Sequence, residues 1–161
     1  TLLRDLGAAM SPFNAFMFIQ GLETLALRMK EHSKNGAMVA EFLQNHPKVE
    51  RVSHPSVADG FKKERADNYL NGGCGGLMGF EIKGGLESGK KFIESLEMFY
   101  HVANIGDSKS LAIHPASTTH SQLNEEELLS GGVSPGYIRL SIGLEHIDDI
   151  LEDLGNALDN S

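Results

Sequence analysis

This 161-residue chain is poor in three things that would each have narrowed its role. It has one cysteine, Cys74, so no internal disulfide can form, which fits a reducing compartment. It has no basic stripe. With 14 Lys and Arg against 22 Asp and Glu, the formal net charge is -8. That balance argues against nucleic acid and against an anionic membrane surface as partners. It also lacks a long apolar run: the stretch from Phe13 to Ile19 is interrupted by Asn14 and followed by Gln20. Nothing near Thr1 reads as a signal peptide. The expectation is a cytoplasmic protein.

The scarcity of cations is sharpest at the end of the chain. After Lys109, Arg139 is the only Lys or Arg, in a stretch that holds Glu125 to Glu127, Glu145, Asp148, Asp149, Glu152, Asp153 and Asp159. Arg139 sits in Gly136-Tyr-Ile-Arg-Leu-Ser-Ile-Gly-Leu-Glu145, an alternating pattern that predicts a strand. Ile138, Leu140 and Ile142 share one face, and Arg139 and Ser141 the other. A lone guanidinium on a strand suits a carboxylate, which its planar fork can hold through two parallel hydrogen bonds. The competing reading is an internal salt bridge, with Glu145 as partner.

What is present is ordinary for one globular domain with a core: 40% hydrophobic and 22% charged residues. Ser11 and Pro12 form a helix start. The helix pattern runs, weakened at Gly36, to His46 and is stopped by Pro47. Its first half is apolar on several faces, which predicts burial against more than one surface. A strand follows at 48–53, a helix at 59–70 and a strand at 77–82. Then come a helix at 85–99, an extended stretch at 101–105 and a polar loop over 106–124. A short helix at 125–129, the Arg139 strand and an amphipathic helix at 146–158 complete the order. The runs Asn71 to Gly76 and Ser134-Pro135-Gly136 read as turns. This order fits an α+β fold of two layers: a small, mostly antiparallel sheet with helices on one face.

Other chemistries find little footing. His101, His114, His120 and Cys74 have no zinc-ligand spacing, so no metal is expected. The glycines at 72–76 lack the Lys and Ser/Thr of a phosphate loop. Cys74 has no neighbouring cation to make it a thiolate. A Ser/His hydrolase is as remote as a zinc site, because no G-x-S-x-G nucleophile elbow is read in the chain.

The loop and strand together carry a resemblance. Asn104-Ile-Gly-Asp-Ser-Lys-Ser-Leu111, His114-Pro-Ala-Ser-Thr-Thr-His120 and Ile138-Arg-Leu-Ser-Ile-Gly-Leu-Glu145 resemble the Cys/Met-metabolism family of pyridoxal-phosphate enzymes, in particular its O-acetylhomoserine sulfhydrylase branch. Ser11-Pro-Phe13, Gly21-Leu-Glu-Thr-Leu25 and Leu27-Arg-Met29 match the family's long helix. The resemblance covers essentially the whole chain and implies the C-terminal domain of a fold-type I transferase. Residues 1–46 would be the interdomain helix region and 47–161 the small domain, with the large cofactor domain absent. It implies Arg139 as the clamp on the substrate α-carboxylate, Asn104 beside it where lyase-type relatives carry Ser, and Thr119 near the same pocket. Ser108, Ser110 and His114 are read as loop-structure residues. No catalytic residue is expected here, because no lysine from Lys30 to Lys109 has the context of the family's Schiff-base lysine. The implied cofactor is pyridoxal phosphate. The implied reaction is γ-replacement: acetate leaves O-acetylhomoserine and sulfide or a small thiol takes its place. The implied partners are the enzyme's large domain and further copies in a homo-oligomer. A γ-lyase, a cystathionine γ-synthase and a free-standing amino-acid-binding module are the alternatives.

Overall fold

A computed structural model describes residues 2–161. Five strands make one sheet in the order β1-β2-β5-β4-β3. These are β1 (Val49–Ser53), β2 (Leu77–Ile82), β3 (Tyr100–His101), β4 (Leu111–Ile113) and β5 (Tyr137–Ser141). All neighbours are antiparallel except β3 and β4, which run parallel. The α+β expectation, with a mostly antiparallel sheet, is what the chain adopts.

The alternation in β2 and β5 builds the core. Met78, Phe80 and Ile82 from β2 and Ile138, Leu140 and Ile142 from β5 and its extension turn to one face and are buried. The helices α3 (Leu25–Gln44), α5 (Gly85–Ser95) and α7 (Ile147–Asp159) supply the facing layer. Val39, Ala40 and Leu43 come from α3, Phe92 from α5, and Ile150, Leu154, Ala157 and Leu158 from α7. Their spacing of three and four puts each set on one stripe. Phe80 meets Phe92 edge to face, with centroids 5.4 Å apart. Asp153 of α7 caps the turn after α5, accepting from the backbone N–H groups of Glu97 and Met98.

The first helices depart from expectation. A short α1 (Leu2–Leu6) precedes α2 (Pro12–Glu23). Ser11 caps α2 as predicted, its Oγ accepting from the Asn14 N–H at 3.2 Å. The break comes at Thr24, which separates α2 from α3, and not at Gly36. Arg28 straps it by donating to the Gly21 carbonyl at 2.9 Å. None of the twelve residues of α2 is buried. Phe13, Phe16, Met17, Phe18, Ile19 and Leu22 are all more than half exposed.

Gly36 has a packing task. A Cβ there would run into the carbonyl of Gly75, and one on Gly76 would lie 2.8 Å from the Ile142 carbonyl. The glycine run is therefore more than the simple turn read from sequence. Its end lies backbone to backbone between α3 and β5, where no side chain fits. Two further α-helices are α4 (Gly60–Tyr69) and α6 (Glu125–Ser130), the latter opened by an Asn124–Glu127 capping box.

The loop expected over 106–124 contains a missed strand. All three residues of β4 are buried, so no alternation marks it. The extended stretch expected at 101–105 shrinks to the two residues of β3.

Candidate carboxylate-binding site

Arg139 lies on the sheet face opposite the helices. Its Cα partners are Gly79 on β2 and Ile113 on β4. Ile113 is buried and forms an apolar wall on one side. On the other side Gly79 leaves room for a ring: a Cβ there would collide with the phenol of Tyr137. Tyr137 shares the face of Arg139, two residues before it. The guanidinium is thus half-buried between an aliphatic and an aromatic wall.

The salt-bridge alternative fails. Glu145 does not meet Arg139. Its Oε1 accepts from the Ser110 N–H at 2.7 Å and its Oε2 from the Ser110 hydroxyl at 2.9 Å. Glu81, the other acid on this face, pairs with Arg51 at 3.0 Å. Arg139 is in no ion pair among the described residues. It makes one hydrogen bond, from Nη2 to the Asn104 carbonyl at 3.1 Å. Of the five N–H groups on a guanidinium, four remain for a ligand.

The loop that carries Asn104 is built in an unexpected way. Every residue from His101 to Lys109 is exposed, and Ser110 is completely buried. The loop is nonetheless tied at alternate positions to one segment, 139–145. Arg139 holds the Asn104 carbonyl. The Ser141 hydroxyl accepts from the Gly106 N–H at 3.0 Å. The Leu144 N–H donates to the Ser108 carbonyl at 2.8 Å. Glu145 takes Ser110. The receiving segment is fixed to α3 in turn. Asn35 Nδ2 reaches the carbonyls of Gly143 and Glu145 at 3.2 and 3.1 Å, and His32 Nδ1 lies 2.6 Å from that of Ile142.

The structure brings Arg139 and Asn104 together, though through the Asn104 backbone. The side chain of Asn104 accepts at its Oδ1 from the Ile105 N–H at 3.0 Å. Thr119 stands apart. It is exposed, its hydroxyl pairs with His120 Nδ1 at 2.8 Å, and no hydrogen bond joins it to Arg139. Sequence reasoning left out Tyr137 and the loop ties of Ser141 and Glu145. A signal for Tyr137 existed: an aromatic two residues before the arginine shares its face.

His114 serves the fold, as expected. It is fully buried, with Nδ1 2.8 Å from the Ser117 hydroxyl and Nε2 2.7 Å from the Pro135 carbonyl. Burial holds its pKa below the ordinary histidine value, and the same holds for His54. One motif escaped the reading above: Gly132 to Gly136 spells G-x-S-x-G. Ser134 sits in the turn before a strand, not between strand and helix as a serine elbow requires, and its buried Oγ makes no hydrogen bond among the described residues. Among those residues no group of three His, Cys, Asp or Glu could hold a metal ion.

A cavity of about 730 Å³ lies elsewhere, between β1 and α4, lined by residues such as Arg51, His54, Lys62 and Arg65. It contains none of Arg139, Asn104 and Thr119. Arg139 faces an open surface, and its chemistry, not enclosure, singles it out. No lysine in the chain is buried, and those at Lys34, Lys63, Lys90 and Lys109 already bond to side chains beside them. The described residues thus offer an open guanidinium, whose fork suits a carboxylate, and no buried lysine to meet the aldehyde of a pyridoxal cofactor.

Known proteins resemble the chain over nearly its whole length. Residues 1–159 match the model of the Cys/Met metabolism PLP-dependent enzymes. The chain is 59% identical over 159 residues to the O-acetyl-L-homoserine sulfhydrylase of Leptospira meyeri, covering 98% of this chain and 36% of that protein. It is 42% identical over 157 residues to the L-methionine gamma-lyase of Pseudomonas putida, covering 97% and 39%. A solved structure of a putative O-acetylhomoserine (thiol)-lyase from Campylobacter jejuni superposes with a TM-score of 0.87 at 47% identity. It covers 99% of this chain and 38% of that one, and it carries N'-pyridoxyl-lysine-5'-monophosphate. The chain thus spans little more than a third of the length of these relatives.

Proposed function

The chain belongs to the Cys/Met-metabolism family of pyridoxal-phosphate-dependent enzymes, and from that premise we propose that it is the substrate-carboxylate half of an enzyme making homocysteine from O-acetylhomoserine and sulfide. The observation that carries this reading is the open fork of Arg139, held on a strand with no carboxylate of its own. Two of its free N–H groups take the two oxygens of the substrate α-carboxylate. Asn104, whose carbonyl Arg139 already holds, adds a third donor through its side-chain amide. Thr119 contributes from further out. Fixing the carboxylate fixes the direction of the Cα–H bond, and such positioning supplies several kcal/mol of a barrier.

Pyridoxal phosphate, when bound, supplies the electron sink for charge developing at Cα. Its lysine belongs to a part of the enzyme outside this chain, since no lysine here is buried beside Arg139. By the same reasoning the chain alone is inactive. The apolar surface of α2 is the seam along which residues 1–46 join the small domain, 47–161, to the cofactor domain or to another subunit of a homo-oligomer.

The test is Arg139→Lys in the full-length enzyme. An ammonium cannot form the bidentate pair, and the loss of one charge-assisted hydrogen bond, about 2 kcal/mol, corresponds to a rise of roughly thirtyfold in KM for O-acetylhomoserine. Unchanged kinetics remove the assignment. The likeness to an L-methionine gamma-lyase supports a second reading, γ-elimination. Product analysis separates the two. A sulfhydrylase accumulates homocysteine and needs sulfide, while a lyase releases a 2-oxo acid and ammonia without it.

A further inference from the structure

The ties between the loop and segment 139–145 are unequal, and the difference points beyond the arginine. The Arg139 tie is a single bond to a carbonyl, made by the very group that must turn its fork toward a ligand. A single such bond does not by itself fix where Asn104 stands while the other N–H groups hold a carboxylate. The tie at the far end is of another kind. Both oxygens of one carboxylate receive from one residue, the N–H and the hydroxyl of Ser110. The same hydroxyl accepts from the Gly143 N–H at 2.9 Å, and the Ser110 carbonyl accepts from the Tyr100 N–H at 3.0 Å. Every polar group of Ser110 is thereby used. Ser110 is also where the loop passes from full exposure to full burial. Glu145 is anchored behind it, because Asn35 on α3 holds its carbonyl.

We propose that Glu145 is a positioning residue for the carboxylate site, acting through Ser110 to set where Asn104 stands beside Arg139. This rests on the carboxylate-clamp reading of Arg139. The charge of Glu145 is turned to two donors of the loop and away from the ligand, so it shapes the site without touching the substrate. Two acceptors are required there, and only a carboxylate supplies both. A carboxamide keeps the size but offers one acceptor, so the Ser110 N–H or the Ser110 O–H loses its partner.

The experiment uses the full-length enzyme loaded with its cofactor, in four forms: wild type, Glu145→Gln, Arg139→Lys and the double variant. Ser110→Ala replaces Glu145→Gln if that protein does not fold. Two readouts are taken, steady-state kinetics with O-acetylhomoserine and amide hydrogen exchange over 104–110. For Glu145→Gln the expected result is faster exchange at Gly106 and Ser110 and a KM raised about five- to twentyfold with kcat within about twofold. In the Arg139→Lys background the same change should add little, because both act on one carboxylate contact. An unchanged KM, or an equal further rise in the Arg139→Lys background, overturns the positioning role. If Arg139→Lys alone leaves KM unchanged, the carboxylate reading falls and the substrate role of Glu145 falls with it. If Arg139→Lys behaves as expected and Glu145→Gln is silent, only the positioning role falls.

Discussion

The two faces of β5 are made from adjacent residues and are held by different forces. On the inner face Ile138, Leu140 and Ile142 are completely buried against helices. On the outer face Arg139 and Ser141 hold a loop of exposed residues through single hydrogen bonds. The inner face draws its strength from apolar area removed from water, at about 25 cal/mol per Å². The outer face depends on a few polar contacts, each of which contributes about 1 kcal/mol net. The core and the proposed carboxylate site are thus separated by one residue of register. A slip of one position would put the guanidinium in the core.

The sharpest way to break this comparison is on the inner side. Phe80→Ala removes a completely buried ring that meets Phe92 and should cost about 3–5 kcal/mol in chemical denaturation. A loss below about 1 kcal/mol would mean that the sheet does not depend on its helix layer. Gly36→Ala comes next, since the added Cβ meets the Gly75 backbone, which cannot swing aside as a side chain can. A loss of about 1–3 kcal/mol is expected in the same measurement. On the outer side Arg139→Lys should change stability by less than about 1 kcal/mol, even as it raises KM sharply. Equal damage to stability would make Arg139 part of the scaffold.

Acid sensitivity sharpens the comparison further. Burial lowers the folded-state pKa of His114 and His54 below the ordinary value of 6.5. Above that value both states are neutral and the histidines leave stability independent of pH. As pH falls through it, the unfolded chain takes up protons that the folded chain refuses, and stability is lost. His114→Asn should flatten the acid limb of a plot of stability against pH, with His54 supplying what remains. The smallest effect belongs to α2. Phe18→Lys, at a side chain that touches no core, should alter unfolding of this chain by less than about 0.5 kcal/mol. An apolar surface of this size is expected to make the isolated chain self-associate, and in sedimentation the same variant should associate less than the unaltered chain.

What could be read from the sequence follows from the range of the forces involved. Ser11 and Pro12 mark the start of α2, and the stripe Ile147, Ile150, Leu151, Leu154, Leu158 marks α7, because caps and periodicity are local. The alternation around Arg139 gave its strand and its face for the same reason. β4 was missed because Leu111, Ala112 and Ile113 are buried on both sides and show no alternation. The break at Thr24 was missed because its strap, Arg28 to the Gly21 carbonyl, has no periodic signature. The role of Glu145 was misjudged because its partner, Ser110, is 35 residues away. Charge alone favoured the arginine, and only the folded chain shows that a neutral serine uses both oxygens. For the site itself, Arg139 and Asn104 came from a resemblance, and the fold adds that they meet through a backbone carbonyl.

The alternate ties of the 104–110 loop carry a consequence for how such enzymes diversify. A backbone ladder cannot be altered one residue at a time without disturbing the neighbouring strand. Here three of the four ties are made by side chains, those of Arg139, Ser141 and Glu145. Single codon changes can therefore lengthen, release or re-aim the loop while Ile138, Leu140 and Ile142 keep the sheet intact. The fold thus sets an adjustable rim on a fixed frame, one that substitution can reshape without unmaking the sheet.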